Sequence, residues 1–345
     1  VSKTENRSLA RKPIVNFALL DPYPAAYERF YKDHFIFRPQ ALHQYDRILF
    51  QYFNRSPIPD QVDIGKDGWY YFAGNDKWIY QGKRFMTEDS VRMIVNELHK
   101  RTLYYREKGI HFYVCFAPME QEIYPEYLPN NYFRNPIGTQ TDKVIAAIHK
   151  DTVIPFIDLK STLLESKRFG QLYQKTDNHW NCYGAYFAYL AIMRRIKQDF
   201  PVLTPLIQPD ITFKRNLRAA GGLANMIGFA DLLKEDDFSP VFKNPKAIPG
   251  KKAGYPPPYW FGYKSEYEVV WLNPDQRLPK LFVIRDSFFN YPMLYLRENF
   301  RKTTVIWDAW MYGPNKLLVE KEKPDVVLLM VFEPLIDKIL ISPIN

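Results

Sequence analysis

Short apolar runs alternate with helix-forming stretches over most of this chain. Residues 111–116, 153–159, 268–272, 280–284, 303–307 and 325–332 read as strands. Residues 139–150, 182–200, 289–300 and 314–321 read as helices, the longest closed by Pro201. Another helix begins near Thr87. There Thr87-Glu88-Asp89-Ser90 supplies caps and an acidic first turn, and Gly109 supplies a stop. Parallel neighbours can be joined only by crossovers, so this alternation predicts an α/β fold: a mostly parallel sheet with helices on both faces. Ligand chemistry in such a sheet belongs at the carboxyl ends of its strands.

The beginning of the chain reads differently. Pro13, Pro22, Pro24, Pro39, Pro57 and Pro59 interrupt residues 1–60, and each would break a helix running through it. Helices over 25–32 and 41–52 fit between them. Residues 62–72 read as two strands around a Gly-containing turn. Residues 1–82 are therefore expected as an irregular N-terminal extension packing on a catalytic domain of residues 83–345. Residues 201–265 carry Ala219-Ala220-Gly221-Gly222 and Pro256-Pro257-Pro258 and are expected as loops over that domain. No run is long enough for a transmembrane helix. A start at Val1 rather than Met is what a fragment trimmed at its N-terminus would show.

The formal net charge of +9 favours anionic partners such as an acidic polymer or membrane headgroups, and serves solubility equally well. It is spread along the chain, no nucleic-acid motif accompanies it, and nucleic acid is not an expected partner. The two cysteines have no metal spacing. Cys115 lies in an apolar run and reads as an inert buried thiol, Cys182 as a packing residue, and a disulfide between them is left open. Twenty-five Tyr, twenty-five Phe and seven Trp serve a core or a sugar-stacking groove.

Two polar motifs carry the chemistry. Asp177-Asn178-His179-Trp180 precedes a long helix, and Arg285-Asp286-Ser287-Phe288 follows the run Leu281-Phe282-Val283-Ile284. A serine hydroxyl needs a base to become a nucleophile. His179 can be that base, and Asp177, two residues away on the same side of an extended segment, can orient it. Ser287 sits where a buried strand turns into a helix and leaves backbone N–H groups for an oxyanion. Asp286 and Ser287 are equally good helix caps, and Asp177 or Asn178 could cap the helix after them. Gly221-Gly222 and Asn225 are further oxyanion-donor candidates. Arg285 is a candidate for an acidic substrate group or for a pair with Asp286.

These motifs in this order, with Gly184-Ala185 after the first, resemble the SGNH-hydrolase-like proteins of bacterial exopolysaccharide O-acetylation, of which the alginate O-acetyltransferases are the best known. Glu5-Asn6-Arg7, residues 33–38, Gly65-Lys66-Asp67-Gly68-Trp69, residues 123–129 and Gly222-Leu223-Ala224 also look like family landmarks. Arg285 stands where many relatives have Gly, Glu120 where they often have Lys, and Gly222 where many have Asp. Asp and His precede Ser here, as in a permuted SGNH arrangement, and a triad is defined by geometry rather than order.

With the resemblance, the reading is acetyl transfer to a polysaccharide hydroxyl by a Ser287–His179–Asp177 triad; Gly222, Asn225, Arg285 and Trp180 are the oxyanion or substrate candidates, and no metal or organic cofactor is expected. The resemblance also implies a periplasmic enzyme tethered by an N-terminal membrane segment and supplied with acetyl by a membrane-bound O-acyltransferase. A carbohydrate acetyl esterase with the same triad is the alternative, and a non-catalytic polysaccharide-binding or assembly protein a third reading. Aromatics beside the motifs (Trp180, Phe288, Phe289 and Tyr291) are expected to line a groove.

Overall fold

The structure, a computed structural model, describes residues 8–17 and 20–344. The landmark Glu5-Asn6-Arg7 lies outside the described residues. The chain divides into two units, one ending at Pro59 and one beginning at Asp60. The first holds helices α1 (Pro22–His34) and α2 (Arg38–Phe53). Both open on a proline in the first turn, where its missing N–H costs nothing.

The second unit begins earlier than the expected boundary at residue 83. Strands β1 (Val62–Ile64) and β2 (Tyr70–Phe72) form a hairpin whose backbone is tied to distant segments. Lys66 N–H donates to Tyr127 O and Tyr70 N–H to Lys175 O, both at 2.7 Å. A Cβ on Gly65 would stand 2.3 Å from Tyr127 O, so the close approach requires glycine. Trp69 then stacks on Tyr124 and Tyr127. Helix α3 (Gly74–Tyr80) completes this region, and residues 60–82 belong with the second unit.

The rest is an α/β core. Helix α4 (Glu88–Glu107), capped by Thr87, leads to β3 (His111–Ala117). Then come α5 (Glu120–Ile123), α6 (Gln140–Ile148), β4 (Phe156–Ile157), α7 (Leu159–Ser166) and α8 (Cys182–Asp199). After an excursion follow β8 (Glu268–Leu272), β9 (Lys280–Ile284), α10 (Met293–Leu296), β10 (Lys302–Ile306), α11 (Lys316–Glu322) and β11 (Val326–Phe332). One seven-stranded sheet runs β4-β3-β11-β9-β10-β8-β7, where β7 is Ile248–Pro249. β4, β3, β11, β9 and β10 are mutually parallel, and β8 runs against β10 and β7. The mostly parallel sheet is as expected.

Successive side chains on a strand point to opposite faces, and the two cores follow from that. Tyr113, Cys115, Leu281, Val283, Leu328 and Met330 face α7 and α8. Phe112, Val114, Phe282, Ile284, Val327 and Leu329 face α4 and α6. Cys115 and Cys182 are both free and buried.

The excursion is where the structure departs from the sequence reading. Instead of loops alone, residues 201–265 contain β5 (Ile211–Ala219), α9 (Gly222–Met226) and β6 (Lys234–Phe242). β5 and β6 pair antiparallel over nine residues. Both are charged and mostly solvated, with Arg215 bridging Asp236 across the strands, so they lack the apolar alternation that announces a strand. No helix among the described residues is long and apolar enough to cross a membrane.

Candidate active site

The parallel strand β9 delivers Arg285-Asp286-Ser287 at its carboxyl end, and Ser287 opens a short 3₁₀ turn, Ser287–Asn290. Asp286 is 1% exposed and binds three donors. Its Oδ1 accepts from Phe288 N–H at 2.9 Å. Its Oδ2 accepts from Phe332 N–H at 2.6 Å and from the Tyr312 hydroxyl at 2.7 Å. One carboxylate thus pins the end of β9 to the end of β11 and to the loop beyond β10. Burial raises its pKa against the pull of those hydrogen bonds. Asp286→Ala would leave three buried donors unmet, at about 1–3 kcal/mol each. A loss of about 3–5 kcal/mol in urea unfolding is expected, and a loss below about 1 kcal/mol would refute this role.

The second motif meets the first from the other side. The segment before α8 runs antiparallel to itself at Tyr173 and Trp180. Asn181 caps α8 by accepting from Gly184 N–H at 2.8 Å. A Cβ on Gly184 would lie 2.1 Å from Leu172 O, which explains a glycine four residues after the histidine's neighbour Trp180. His179 therefore leaves the segment at a fixed angle, its ring 4.6 Å from that of Phe288.

The three expected residues lie together. His179 Nε2 is 2.8 Å from Ser287 Oγ, and His179 Nδ1 is 2.6 Å from Asp177 Oδ1. Asp177 also accepts from Gly222 N–H at 2.7 Å and from His179 N–H at 3.2 Å. Burial raises the Asp177 pKa, but the His179 hydrogen bond and charge and these two N–H groups outweigh it, and the carboxyl sits below its ordinary range. An ionised carboxylate only accepts, so the shared proton belongs to Nδ1 and Nε2 is left to accept from Ser287.

The surrounding residues are placed differently from the sequence expectation. Gly222 gives its N–H to Asp177, and so holds the carboxylate rather than an oxyanion. Arg285 is 1% exposed. It donates to Asp286 O, Asn290 Oδ1 and Glu266 O, and its guanidinium lies 4.6 Å from the Trp307 ring centroid. It is buried and braces the turn. Burial lowers its pKa to about 10. Trp180 is fully buried and donates to Phe288 O at 2.9 Å. Phe288 and Phe289 are buried too, and Tyr291 takes a hydrogen bond from Gln174. Large rings next to a catalytic motif are core here, because the motif itself sits at a strand end inside the sheet. Asn225 stays exposed on α9, its backbone N–H bonded to Gly221 O.

Sequence reasoning missed Glu235 on β6. Its carboxylate accepts from Lys175 N–H, Thr176 N–H and the Thr176 hydroxyl at 2.7–3.1 Å, and Thr176 Oγ1 accepts from Gly221 N–H. The segment before Asp177 is thereby clamped to the glycine pair. A Cβ on Gly221 would stand 2.5 Å from Asp177 Cβ and 2.9 Å from Thr176 O. Gly221→Ala is expected to displace Asp177 and lower ester turnover about a hundredfold while the far-UV spectrum stays native. Turnover within about twofold of wild type would refute the packing argument. No group of three or more His, Cys, Asp or Glu among the described residues is arranged to hold a metal.

Residues 62–246 match the family described as the SGNH hydrolase-like domain of the acetyltransferase AlgX. The chain belongs to this family. The match includes Asp177 and His179 and ends before Ser287, which the fold brings to them. No curated protein matches the sequence. Among solved structures the chain is similar to Bacillus cereus PatB1 (TM-score 0.60, 17% identity, covering 81% of this chain and 100% of that one). The same protein with a sulfonyl adduct gives 0.58 at 16% identity, covering 81% and 99%. A DHHW family protein from Eubacterium siraeum gives 0.56 at 14% identity, covering 82% and 95%. At these identities the likeness is one of fold. AlgX-family membership makes the chain an SGNH-like acyltransferase-family protein.

Proposed function

We propose that this protein moves acetyl groups onto hydroxyls of an extracytoplasmic polysaccharide through an acetyl-Ser287 intermediate. The observation that carries the proposal is the continuous relay Ser287 Oγ–His179–Asp177, at 2.8 and 2.6 Å. His179 Nε2 takes the Ser287 proton as Oγ attacks the acetyl carbonyl, and returns it to the leaving donor group. A sugar hydroxyl then attacks the acetyl-enzyme and gives its proton to Nε2. Collapse of the adduct returns that proton to Ser287. Asp177 keeps the imidazole oriented and stabilises its charged form. With Gly222 committed to Asp177, the Ser287 N–H and the exposed Asn225 amide are the groups assigned to the oxyanion. The scheme calls for no metal or cofactor.

The family resemblance supports a periplasmic setting, an N-terminal membrane tether and a membrane-bound O-acyltransferase as acetyl supplier. Mass spectrometry of neutral and uronate oligosaccharides incubated with the protein and an acetyl ester tests the proposal. Acetylated sugar is the expected product. Acetate alone would make the protein an esterase, and neither product, with Ser287 inert to a sulfonyl fluoride, would leave a binding protein.

A further inference from the structure

The buried rings beside the nucleophile leave open what an acceptor would rest on. A different aromatic group answers, on two loops at the same end of the sheet. The first loop runs between β7 and β8 and carries Tyr259, Trp260 and Tyr263, which are 90%, 52% and 50% exposed. The second follows β10 and carries Trp307, buried, and Trp310, half-buried. Tyr263 stacks nearly parallel on Trp307, with centroids 4.9 Å apart and planes at 13°. Trp310 stands edge-on to Trp307 at 5.3 Å and to Tyr263 at 6.2 Å.

Both loops are anchored to the residues that lead into Ser287. Arg285 donates to Glu266 O at the end of the first loop and lies over Trp307 of the second. Asp286 accepts from the hydroxyl of Tyr312 in the second. β9 and β10 are parallel, with Ile284 beside Ile306, so Ser287 and the Trp307 loop emerge side by side.

Both loops are also braced from beneath. The Glu268 carboxylate accepts from the N–H groups of Ala253, Gly254 and Tyr255. The Asp308 carboxylate accepts from Gly313 N–H at 2.8 Å and Asn315 Nδ2 at 3.3 Å. Ala309, Trp310 and Tyr312 all have positive φ, at 59°, 61° and 47°. Non-glycine residues in that region cost free energy, and a fold retains them where the side chains have work to do. Trp310 packs partly against the core, whereas Tyr259, Trp260 and Tyr263 are at least half exposed and are not explained by core packing.

We infer that Tyr259, Trp260, Tyr263 and Trp310 form a stacking platform for sugar rings of the acceptor glycan, on the β10 side of Ser287. This rests on the acetyl-transfer reading and says where the chain of sugars lies. The occupant follows from three features: flat rings suit the apolar faces of pyranoses, the Trp307 loop leaves the sheet beside the strand that delivers the nucleophile, and the first loop also carries the exposed Lys251, Lys252 and Lys264. Arg285 and Asp286 are positioning residues, because they fix both loops and the nucleophile to one frame.

The test measures binding in the Ser287→Ala protein, so that it does not depend on turnover. Cellohexaose, chitohexaose and a hexamannuronate are titrated by calorimetry. At least one is expected to bind, and Trp260→Ala, Tyr259→Ala and Trp310→Ala are each expected to weaken it about five- to tenfold. Trp260→Phe should keep most of the affinity. Trp78→Ala, removing a ring 55% exposed on α3, should change nothing. In the active protein the same substitutions should raise the acceptor KM more than they lower kcat. Tyr259 is almost wholly in solvent, so its variant folds whatever its role. Binding of none of the three oligosaccharides, or binding unchanged in all three alanine variants, overturns the platform. Binding that behaves as expected without acetyl transfer in the wild type overturns the enzymatic reading and leaves the platform standing.

Discussion

Ser287→Ala is expected to lower acetyl-ester turnover by at least about 10³-fold while the protein keeps its fold. The hydroxyl is the only atom removed, and it is hydrogen-bonded to His179 Nε2 rather than to any structural partner. His179→Ala should cost about as much. Asp177→Asn should cost on the order of 10³–10⁴, because an amide in place of the acceptor at Nδ1 favours the wrong tautomer. Asp177 carries a second load, holding Gly222 N–H through Oδ2, so its alanine variant should also loosen the 219–222 turn. Groups that act as one unit are not additive, and the double variants should lose little beyond the worst single. Stopped-flow turnover of an activated acetyl ester measures all of these. Wild-type rates in Ser287→Ala would remove the nucleophile, and full additivity in the doubles would mean that the three do not work together.

β3, β9, β10 and β11 were legible because each is a run of mostly buried residues, as both faces of a parallel sheet demand, whereas the strand read over 153–159 is only the two-residue β4 and the exposed β7 was not read. Residues 268–272 and 280–284 are found as read, and β10 and β11 differ by a residue at their ends. The helix expected over 289–300 is instead a 3₁₀ turn and the four-residue α10. Pro292 and the caps around Asp286 interrupt it, and a sequence pattern weighs these less than the apolar spacing. The β5–β6 ribbon was invisible for the opposite reason: its backbone pairs fully while its side chains face water.

Within the site, the three polar residues read as a triad lie together, and the aromatic residues read as groove walls are mostly buried. Asp177, His179 and Ser287 stand out because together they are the residue types of a nucleophile, its base and an orienting carboxylate. Trp180 and Arg285 were placed at the substrate because they adjoin those residues in sequence. Adjacent residues at a strand end or in an extended segment point opposite ways, so the neighbour of an outward catalytic residue is usually inward. That alternation puts Trp180 beneath His179, and in the 3₁₀ turn Phe288 is buried beside Ser287. The exposed rings lie instead at Tyr259, Trp260 and Tyr263, far away in sequence, on the loop that leads into β8.

The second large effect expected is a loss of stability as pH rises through neutrality. Behind the site lies a group of buried acids. Glu120 is 1% exposed, and neither of its oxygens has a hydrogen-bond partner. Burial pushes its pKa up, and Asp177, Glu235 and Asp76 add to the shift. Burial, with Glu333 nearby, pushes Asp76 up to about 8. Burial likewise raises Glu333 and takes Asp308 to about 6. Unfolded carboxyls titrate near 4. Between about 4 and these raised values the folded state holds protons that the unfolded chain has released, so stability must fall as pH rises. The contribution is complete below the unfolded pKa and gone once pH passes the folded one. Asp142 and Asp177 act in the opposite sense. Their burial is outweighed by hydrogen bonds and neighbouring cations, and their contribution is lost only in acid, below the unfolded range. Urea unfolding should therefore show a decline of at least about 2 kcal/mol between roughly pH 5.5 and pH 8.5. Glu120→Gln and Asp76→Asn, which mimic the protonated forms, should flatten the decline and stabilise the protein at the higher pH. A profile that rises with pH, or variants that keep the full slope, would show that these acids ionise inside the fold.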